Sequence, residues 1–583
     1  MLSSLPVLGL LVLSGFTNAD VGPSFQRCPA DFQLVRRGQT VSAAEARYVE
    51  QKRKKVLPVA FKAYLHNVQQ TGVVLPHYVK SILECEEELP TVSIATSGGG
   101  YRAAIFGAGV LNALDGRNAS SAKKATGGLL QAATHLAGLS GGSWLVTSLA
   151  QANFPTIQNL VFGGGDFGGW ITDFDLWTAS ADPAVQAKFA AGLLQEIAAK
   201  ATLFPVSVGD AWGRSLARHF SNGTTLATFF GNTSHGGGIL FSDLIKLPTF
   251  ASHAQPLPIV TVNLDSKHIN GTVFPGGSFL PLNSPMFEIN LFEMGCYDAV
   301  LAAHTPTQHL GSTNASLCAS GFDEAMFVAG ASSNLWNQVN VTDAGAANLA
   351  GSTANLSVLV NETYPQPPGL RLDTSNVPNA FRGIAPETFA DSNETILALC
   401  DGGEDGQVTP LQPMLVPDRK VDVVIAIDAA NDVGGFAAGA SLIATQQRMQ
   451  LFPQGLLPFP AVPSTLAAFA AAGLATRPTF FGCAPAAGPL LVYIANGAPP
   501  RDGAAPRTNT STFQSVYTAD ALHGMLDQTF VVATQGAAVG GALEDAEWGA
   551  CLACAVVDRA RARQGVKRSG VCTTCFARYC WEA

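Results

Sequence analysis

The sequence predicts an α/β fold in which a central, mostly parallel sheet is flanked by helices. Residues 421–427 (VDVVIAI) are nearly all apolar, as expected of a strand that is buried on both faces. Residues 91–96 (TVSIAT) predict a second strand, which runs into a glycine turn and then into an apolar helix over 103–114. Residues 129–139 predict a third strand, followed by a Gly-Ser turn and a helix over 143–152. Strands that alternate with helices are typical of a parallel sheet.

The composition permits a large buried core, because 47% of the 583 residues are hydrophobic and only 13% are charged. The net charge of −9 and the lack of a basic stripe argue against nucleic acid as a partner. The same charge disfavours simple electrostatic docking on anionic membranes. No calcium loop rich in Asp and Asn stands out, and we expect neither a metal nor another cofactor.

The N-terminus has the features of a secretory signal peptide over residues 1–19. Residues 7–13 form a compact apolar core and residues 17–19 (TNA) offer a cleavage site, although no Lys or Arg precedes the core. A bilayer span needs about 20 apolar residues, and we find no run of that length. Residues 580–583 provide no hydrophobic tail for a lipid anchor. We therefore expect a secreted, extracellular protein without a transmembrane anchor, either released or retained at the cell wall.

Asn-x-Ser/Thr sequons are dense in the sequence, as is typical of an exported glycoprotein. The candidate glycosylation sites are Asn118, Asn222, Asn232, Asn270, Asn314, Asn340, Asn355, Asn361, Asn393 and Asn509.

Eleven cysteines include a C-terminal cluster, formed by Cys551, Cys554, Cys572, Cys575 and Cys580. Its two Cys-x-x-Cys pairs are compatible with zinc, but an export signal favours disulfides. Because eleven is odd, we expect one free thiol. We expect a catalytic domain over residues 20–545 and a Cys-rich segment over residues 546–583 that packs on the same domain.

The remaining elements follow in chain order. Residues 42–65 predict a mostly helical segment that Pro58 kinks or splits. Residues 258–264 (PIVTVNL) and 286–290 predict further strands. The segment 303–395 carries many sequons and a Pro-rich stretch, and we interpret part of it as a surface insertion or lid.

The glycine turn over residues 97–102 (SGGGYR) has the layout of an anion site, in which free N–H groups at a helix N-terminus point at negative charge. Two nucleotide-binding interpretations fit poorly. The pattern Gly98-x-Gly100-x-x-Ala103 nearly matches a dinucleotide fingerprint, but the next strand ends in a serine turn and not in the acid that binds ribose. The Gly-Lys-Ser/Thr of an NTPase phosphate loop does not follow.

The turn over residues 138–142 (GLSGG) fits Gly-x-Ser-x-Gly, the nucleophile elbow, in which a strained turn exposes one serine hydroxyl. In a chain with 59 glycines the match alone is weak. Beside the preceding glycine turn, however, Ser140 is placed to attack an ester, with backbone donors for the oxyanion. Arg102 ends the glycine turn and suits either a substrate phosphate or a structural ion pair.

A serine nucleophile needs a group that takes its proton. Asp401 follows the strand over 395–399 and precedes two glycines, where an α/β hydrolase places its catalytic carboxylate. An ordinary Asp-Gly turn is the alternative interpretation. Asp428 ends the strand over 421–427 and is a weaker candidate for the acid.

Histidine is the usual base, but neither candidate is well placed. His523 is the only histidine after Asp401, and its neighbours predict a helix; His135 lies inside a strand and points to a face of the sheet. That leaves a Ser140–Asp401 dyad, in which burial would have to raise the pKa of Asp401. A general lipase or esterase that uses Ser140 with His523 stays open, as does a lipid-binding glycoprotein without turnover.

Three blocks of the sequence resemble the signature blocks of secreted fungal phospholipase B (lysophospholipase), namely 97–104 (SGGGYRAA), 138–144 (GLSGGSW) and 400–405 (CDGGED). That family is related to cytosolic phospholipase A2 and, more distantly, to patatin. Further blocks resemble it at 287–298, 321–337, 476–483 and 509–513 and in the terminal cysteine cluster. The similarity spans nearly the whole mature chain.

The resemblance implies that Ser140 is the nucleophile and Asp401 its partner in a dyad without histidine. It implies that the N–H groups of Gly99 and Gly100 form the oxyanion hole and that Arg102 holds the substrate phosphate. The implied reaction is hydrolysis of acyl esters in phospholipids and lysophospholipids, at membrane or micelle surfaces, through an acyl-serine. No metal is implied.

Overall fold

The computed structural model describes residues 22–275, 278–338, 356–484, 488–540 and 542–582. The expected signal peptide over residues 1–19 lies outside these ranges, as do the sequons at Asn340 and Asn355. None of the helices within these ranges combines the length and the apolar character that a bilayer crossing requires.

Short strands are spread over the whole described chain. They are β1 (Ser24–Arg27), β2 (Arg36–Arg37), β3 (Val92–Thr96), β4 (Ala133–Gly138), β5 (Leu257–Leu264), β6 (Met286–Asn290), β7 (Glu293–Cys296), β8 (Ala303–Pro306), β9 (Leu317–Ser320), β10 (Ser375–Pro378), β11 (Ile396–Asp401), β12 (Val423–Asp428), β13 (Thr479–Phe481) and β14 (Leu490–Ala495).

Helices connect and cover these strands. They are α1 (Ala43–Lys55), α2 (Leu57–Gln69), α3 (His77–Glu84), α4 (Gly100–Leu114), α5 (Ala119–Lys123), α6 (Leu129–Ala132), α7 (Gly141–Gln151), α8 (Ile157–Phe162), α9 (Pro183–Ala201), α10 (Val208–Phe220), α11 (Pro248–Ala251), α12 (Ala325–Ala331), α13 (356–363), α14 (Gln412–Leu415), α15 (Ala440–Met449), α16 (Leu466–Ala471), α17 (Ala519–Gln535), α18 (Trp548–Val556), α19 (Asp558–Arg563) and α20 (Val571–Tyr579).

The main sheet has the strand order β13-β14-β12-β3-β4-β5-β6-β7-β8-β2, and β11 and β10 are added at β5. Strands β14, β12, β3, β4 and β5 are mutually parallel. The pairs outward from β14 and β5 are antiparallel. The predicted α/β fold is therefore confirmed, with a parallel centre to its sheet, and the antiparallel pairs at the flanks make the whole sheet mixed.

Alternate side chains of a central strand pack on opposite faces of the sheet. Ile425 and Ile427 of β12 join a core that includes residues of α2, α4 and α17. Val424 and Ala426 pack on the other face, with Leu442 of α15 and Phe469 of α16. Because both faces of β12 are covered by packed side chains, its residues before Asp428 are all apolar.

Two strands share one edge of β5. Strand β6 pairs with residues 259–263 of β5 on one side. On the other side β4 runs parallel and ends with Gly138 opposite Val260, whereas β11 runs antiparallel and ends with Asp401 opposite Val262. Since a strand has only two edges, the carboxyl ends of β4 and β11 meet head to head beside Thr261.

Part of the segment 303–395 belongs to the body of the protein. It contributes β8 and β10 to the main sheet, β9 to a pair with β1, and the buried helix α12. These portions are therefore not a surface insertion, and residues 339–355 lie outside the described ranges. The helical segment at the N-terminus agrees with prediction, since α1 and α2 separate at Val56 with Pro58 in the first turn of α2.

Eight cysteines form four disulfides, Cys28–Cys318, Cys483–Cys580, Cys551–Cys575 and Cys554–Cys572. Both Cys-x-x-Cys pairs thus join α18 to α20, which confirms the disulfide interpretation over zinc. Three cysteines, Cys85, Cys296 and Cys400, are free, where the sequence predicted one. The terminal helices pack on the core, because Trp548 and Tyr579 are buried against residues of α2 and α17.

Most of the described sequons are exposed, and occupancy stays a prediction. Asn118 and Asn509 are half-buried, and the Asn118 side chain caps α5 by accepting the Ser120 N–H. The exposed asparagines are Asn222, Asn232, Asn270, Asn314, Asn361 and Asn393.

Candidate active site

Ser140 stands in the sharp turn between β4 and α7, as the elbow motif predicts. Its φ of 48° and ψ of −128° are a strained conformation for a residue with a side chain. Strain of this kind costs about 1–3 kcal/mol and persists only where the surroundings enforce it. The side chain is 7% exposed and lines a cavity, so that its hydroxyl is open to a bound molecule.

The glycine turn after β3 lies directly against this elbow. A Cβ on Gly141 would come within 2.0 Å of the Gly100 carbonyl oxygen, and one on Gly98 within 3.5 Å of the Ser140 hydroxyl. The close approach leaves no room for side chains at these positions. Among the described residues, the N–H groups of Gly99 and Gly100 have no hydrogen-bond acceptor. They are thus free donors beside Ser140.

Asp401 ends β11 and is fully buried. The Gly403 N–H donates to its Oδ1 at 2.8 Å. Burial raises the pKa of Asp401 to about 7, while hydrogen bonds from Gly403 and from the Ser140 side chain act to lower it. A carboxylate with this pKa is a far stronger base than an exposed aspartate. The sequence analysis concluded that Asp401 needs a raised pKa if it is to act as the base, and its burial provides that rise.

Two more buried carboxyls follow Asp401 in the same turn. Asn337 Nδ2 donates to Glu404 Oε2 at 2.6 Å, and burial raises the pKa of Glu404 to about 8. Burial also raises the pKa of Asp405, against the attraction of Arg448, whose Nη1 lies 3.5 Å from Asp405 Oδ2. Negative charge on Asp405 raises the pKa of Asp401 further.

Arg102 is buried beneath the glycine turn. Its Nε donates to the Ala429 carbonyl at 3.0 Å, and its Nη1 donates to the Thr510 carbonyl at 2.8 Å and to Thr512 Oγ1 at 3.0 Å. Its Nη2 is buried without a partner among the described residues and lies 2.5 Å from the position of a Cβ on Gly99. No carboxylate within the described ranges forms an ion pair with it, so the structural ion pair is not observed.

Residues 510–516 form a strap across the glycine turn. The Thr512 carbonyl rests 2.1 Å from the position that a Cβ on Gly100 would occupy. Ser515 of the strap donates to Asp175 Oδ2, and residues 512–515 line the cavity that holds Ser140. Arg102 does not line this cavity, because the strap lies over it.

The cavity of Ser140 has a volume of about 400 Å³ and an aromatic wall. Trp177 stacks on Trp212 with ring centroids 4.2 Å apart and meets Trp336 edge to face at 4.3 Å. The indole nitrogens of Trp144 and Trp212 both donate to the Ser333 hydroxyl, at 2.9 and 3.0 Å. These two donors are satisfied, whereas the Nε1 of Trp336 is buried without a partner among the described residues. The ring faces of the wall offer apolar surface to a ligand.

Sequence reasoning missed this wall. Two blocks of the sequence pointed to it: 321–337 holds Ser333 and Trp336, and 138–144 ends in Trp144. Trp177 and Trp212 lie outside those blocks.

The histidine candidates lie elsewhere. His523 is exposed on α17, where its ring stacks on Phe162 at a centroid distance of 3.8 Å. His135 is buried within β4, with Nε2 3.3 Å from Glu45 Oε1. No histidine is among the described residues that line the cavity of Ser140. The pairing of Ser140 with His523 is therefore not supported.

Asp428, the second candidate for the acid, is used within the fold. It is fully buried, and its carboxyl accepts the Tyr493 hydroxyl at 2.7 Å and the Ala430 N–H at 2.9 Å. Burial raises its pKa to about 7, as for Asp401. The Ser140 side chain, however, hydrogen-bonds to Asp401 and not to Asp428.

Comparison with known proteins agrees with the resemblance seen in the sequence. A family model described as the lysophospholipase catalytic domain matches residues 92–583. The chain is 34% identical to lysophospholipase 2 of Aspergillus fumigatus, over 96% of this chain and 92% of that protein. It is 33% identical to a lysophospholipase of Penicillium chrysogenum, over 96% and 90%.

Among solved structures, human GIVD cytosolic phospholipase A2 is similar, with a TM-score of 0.59 and 16% identity over 92% of this chain and 69% of that chain. At this identity the likeness shows the fold alone: the chain shares the α/β architecture of that enzyme.

Proposed function

Because the chain belongs to the lysophospholipase catalytic domain family, we propose that it is a phospholipase B/lysophospholipase that releases fatty acid from lysophospholipids and phospholipids. Ser140 is the nucleophile and Asp401 the base in a dyad without histidine. The observation that carries this proposal is the meeting of β4 and β11 at one edge of β5, which places Ser140 and Asp401 side by side.

Acylation begins when the Asp401 carboxylate takes the proton of the Ser140 hydroxyl and Oγ bonds to the ester carbonyl carbon. The carbonyl oxygen becomes an oxyanion, which the free N–H groups of Gly99 and Gly100 stabilise at the N-terminus of α4. The C–O bond to the glycerol then breaks, and Asp401 returns the proton to the leaving alcohol. The product on the enzyme is an acyl-serine.

Deacylation repeats these steps with water. Asp401 takes a proton from the water, whose oxygen bonds to the acyl carbon and forms a second oxyanion at the same N–H groups. The bond to Ser140 Oγ breaks, Oγ regains the proton, and fatty acid leaves. One carboxyl with a pKa near neutrality suits both directions of proton transfer.

Arg102 is the proposed partner of the substrate phosphate. Its unpartnered Nη2 supports this role, since a buried guanidinium without a counter-ion is costly. Its Nη1, however, is engaged with Thr510 and Thr512. A phosphate that reaches Arg102 from the cavity has to displace part of the strap.

Secretion and glycosylation are part of the same proposal. The signal-like residues 1–19, the exposed sequons and the four disulfides support an oxidising, extracellular location.

The test is fatty-acid release from lysophosphatidylcholine in the presence of a calcium chelator. The wild type is compared with Ser140→Ala, Asp401→Asn and His523→Ala. We expect wild-type and His523→Ala protein to release fatty acid and the two dyad variants to be inactive, because neither can form or activate the nucleophile.

A folded but inactive His523→Ala variant would instead indicate a Ser-His enzyme. Stoichiometric binding of lysophosphatidylcholine without any fatty acid would indicate a binding protein. Full activity of Asp401→Asn would reject the dyad.

A further inference from the structure

Ser332, which follows α12 and is fully buried, bridges the seam between β4 and β11. The N–H of Asp401 itself donates to the Asn334 carbonyl at 2.9 Å. Its backbone carbonyl accepts the N–H of Ser140 at 2.9 Å and the N–H of Gly402 at 3.2 Å. One oxygen atom thus holds the nucleophile and the residue directly after Asp401.

The hydroxyl of Ser332 completes the bridge. It donates to the Thr261 carbonyl at 2.7 Å and lies 3.1 Å from the Ser140 nitrogen, so that the Ser140 N–H is shared between two oxygens of Ser332. Thr261 is the residue of β5 between the positions opposite Gly138 and Asp401.

A partner is required at this point of the sheet. Where two strands stop short of each other, their terminal backbone groups lack ladder partners, and buried groups of this kind must be satisfied. The strained conformation of Ser140 needs the same support. Ser332 supplies hydrogen-bond acceptors for the N–H groups of Ser140 and Gly402 and thereby supports the strained backbone of Ser140.

We propose that Ser332 is a positioning residue of the reaction, which fixes the separation and orientation of Ser140 and Asp401 through this four-point bridge. The proposal rests on the dyad described under the proposed function. Ser332 is fully buried, and its hydrogen bonds go to Ser140, Gly402 and Thr261, so it acts through the residues that it holds.

The neighbouring residue offers a matched control. Ser333 has the same side chain, is also buried and lies one position further along, but its hydroxyl accepts the indole N–H groups of Trp144 and Trp212. The two serines therefore serve different parts of one site, the dyad and the aromatic wall.

The test measures kcat and KM for lysophosphatidylcholine in Ser332→Ala and Ser333→Ala, with Ser332→Thr as the variant that keeps a hydroxyl. Loss of the Ser332 hydroxyl loosens Ser140 and leaves the Thr261 carbonyl unpaired. We expect kcat of Ser332→Ala to fall about 10- to 100-fold with KM unchanged, as for a small misplacement of reacting groups. We expect Ser333→Ala to raise KM, and Ser332→Thr to recover part of kcat.

The pH profile separates positioning from a general loss of structure. Asp401 is surrounded by Cys400 on β11 and by Glu404 and Asp405 in the following turn, with Arg448 of α15 beyond Asp405. None of these is altered in the variants. Because the bond from Ser140 lowers the pKa of Asp401, a loosened Ser140 lets that pKa rise. We expect the acid limb of kcat/KM to move to higher pH in Ser332→Ala and to stay in place in Ser333→Ala.

Wild-type kcat in Ser332→Ala, or an acid limb that does not move, overturns the proposal. If Asp401→Asn keeps full activity, the dyad itself fails whatever Ser332→Ala shows. If Asp401→Asn is inactive while Ser332→Ala behaves like the wild type, only the role of Ser332 fails.

Discussion

Ser140 and Asp401 stand at the facing ends of two strands that approach each other along one edge of β5, β4 in the parallel and β11 in the antiparallel sense. The arrangement brings the proposed nucleophile and the proposed base together from positions 261 residues apart in the chain. No histidine is among the described residues that line the cavity beside it. A register slip of one residue in β11 would turn the Asp401 side chain to the other face of the sheet.

The activity should depend on the ionisation of Asp401. As the proposed base, Asp401 works only when it is ionised, and burial raises its pKa to about 7. We therefore expect kcat/KM to fall about tenfold per pH unit below about pH 7 and to level off above it. Steady-state rates across the acid and neutral range test this.

A neighbouring charge supplies the control for this pH dependence. Asp405 raises the pKa of Asp401, so Asp405→Asn should move the acid limb to lower pH. An acid limb near the ordinary aspartate value of about 4 would contradict the role of Asp401 as a buried base.

The mouth of the cavity should contact the lipid aggregate. Phe513 of the strap is 59% exposed and Phe279 is 51% exposed, and both line the cavity. Burial of one such ring in lipid is worth about 1.5–3 kcal/mol. We expect Phe513→Asp to lose about 10- to 100-fold in activity on micelles while it retains activity on a dispersed short-chain substrate.

Val59→Asp is the matched control, because Val59 on α2 is 69% exposed and does not line the cavity. Equal losses on micellar and dispersed substrate in Phe513→Asp would indicate damage to the cavity and not to lipid contact.

A buried ion cluster at the other end of the sheet should govern stability without touching the chemistry. Arg419 donates to Glu45 Oε1 and to Glu288 Oε2, each at 2.7 Å, and all three side chains are buried. Arg419→Met leaves two buried carboxylates without their counter-ion, and we expect a loss of about 3–5 kcal/mol in the free energy of unfolding. Chemical denaturation measures it.

The exposed pair Lys246–Asp243 gives the comparison. We expect Lys246→Ala to change stability by less than about 1 kcal/mol. A similar loss in both variants would mean that the cluster is weaker than its burial implies.

The three free thiols should differ in reactivity. Cys85 is partly exposed, whereas Cys296 and Cys400 are buried, and burial raises the pKa of both well above the usual range. Since the thiolate is the reactive form, we expect alkylation without reduction to label only Cys85 in the native protein. All three should label in denaturant.

Peptide mass mapping reads out the labels and also tests the four disulfides. Labelling of Cys551, Cys554, Cys572 or Cys575 without reductant would contradict the pairing between α18 and α20.

The sequence alone determined the elements whose signals are local. Three of these elements lie where the sequence predicted them, because residues next to each other in the chain specify them. They are the apolar strand β12, the glycine turn after β3 that approaches the elbow, and the strained turn at Ser140. The sequence also identified Asp401 as a candidate catalytic carboxylate, because it ends a strand and precedes two glycines.

Only the tertiary structure decided how these pieces meet. Four features depend on contacts between distant residues, which leave no periodic pattern in the chain. They are the antiparallel sense of β11, the bridge at Ser332, the tryptophan wall and the burial of Arg102 under the strap. The same holds for the strands within 303–395, which are four residues long and too short to show alternation. Local backbone preference specifies a turn or a strand, whereas strand partners and buried hydrogen bonds follow from the packing of the whole core.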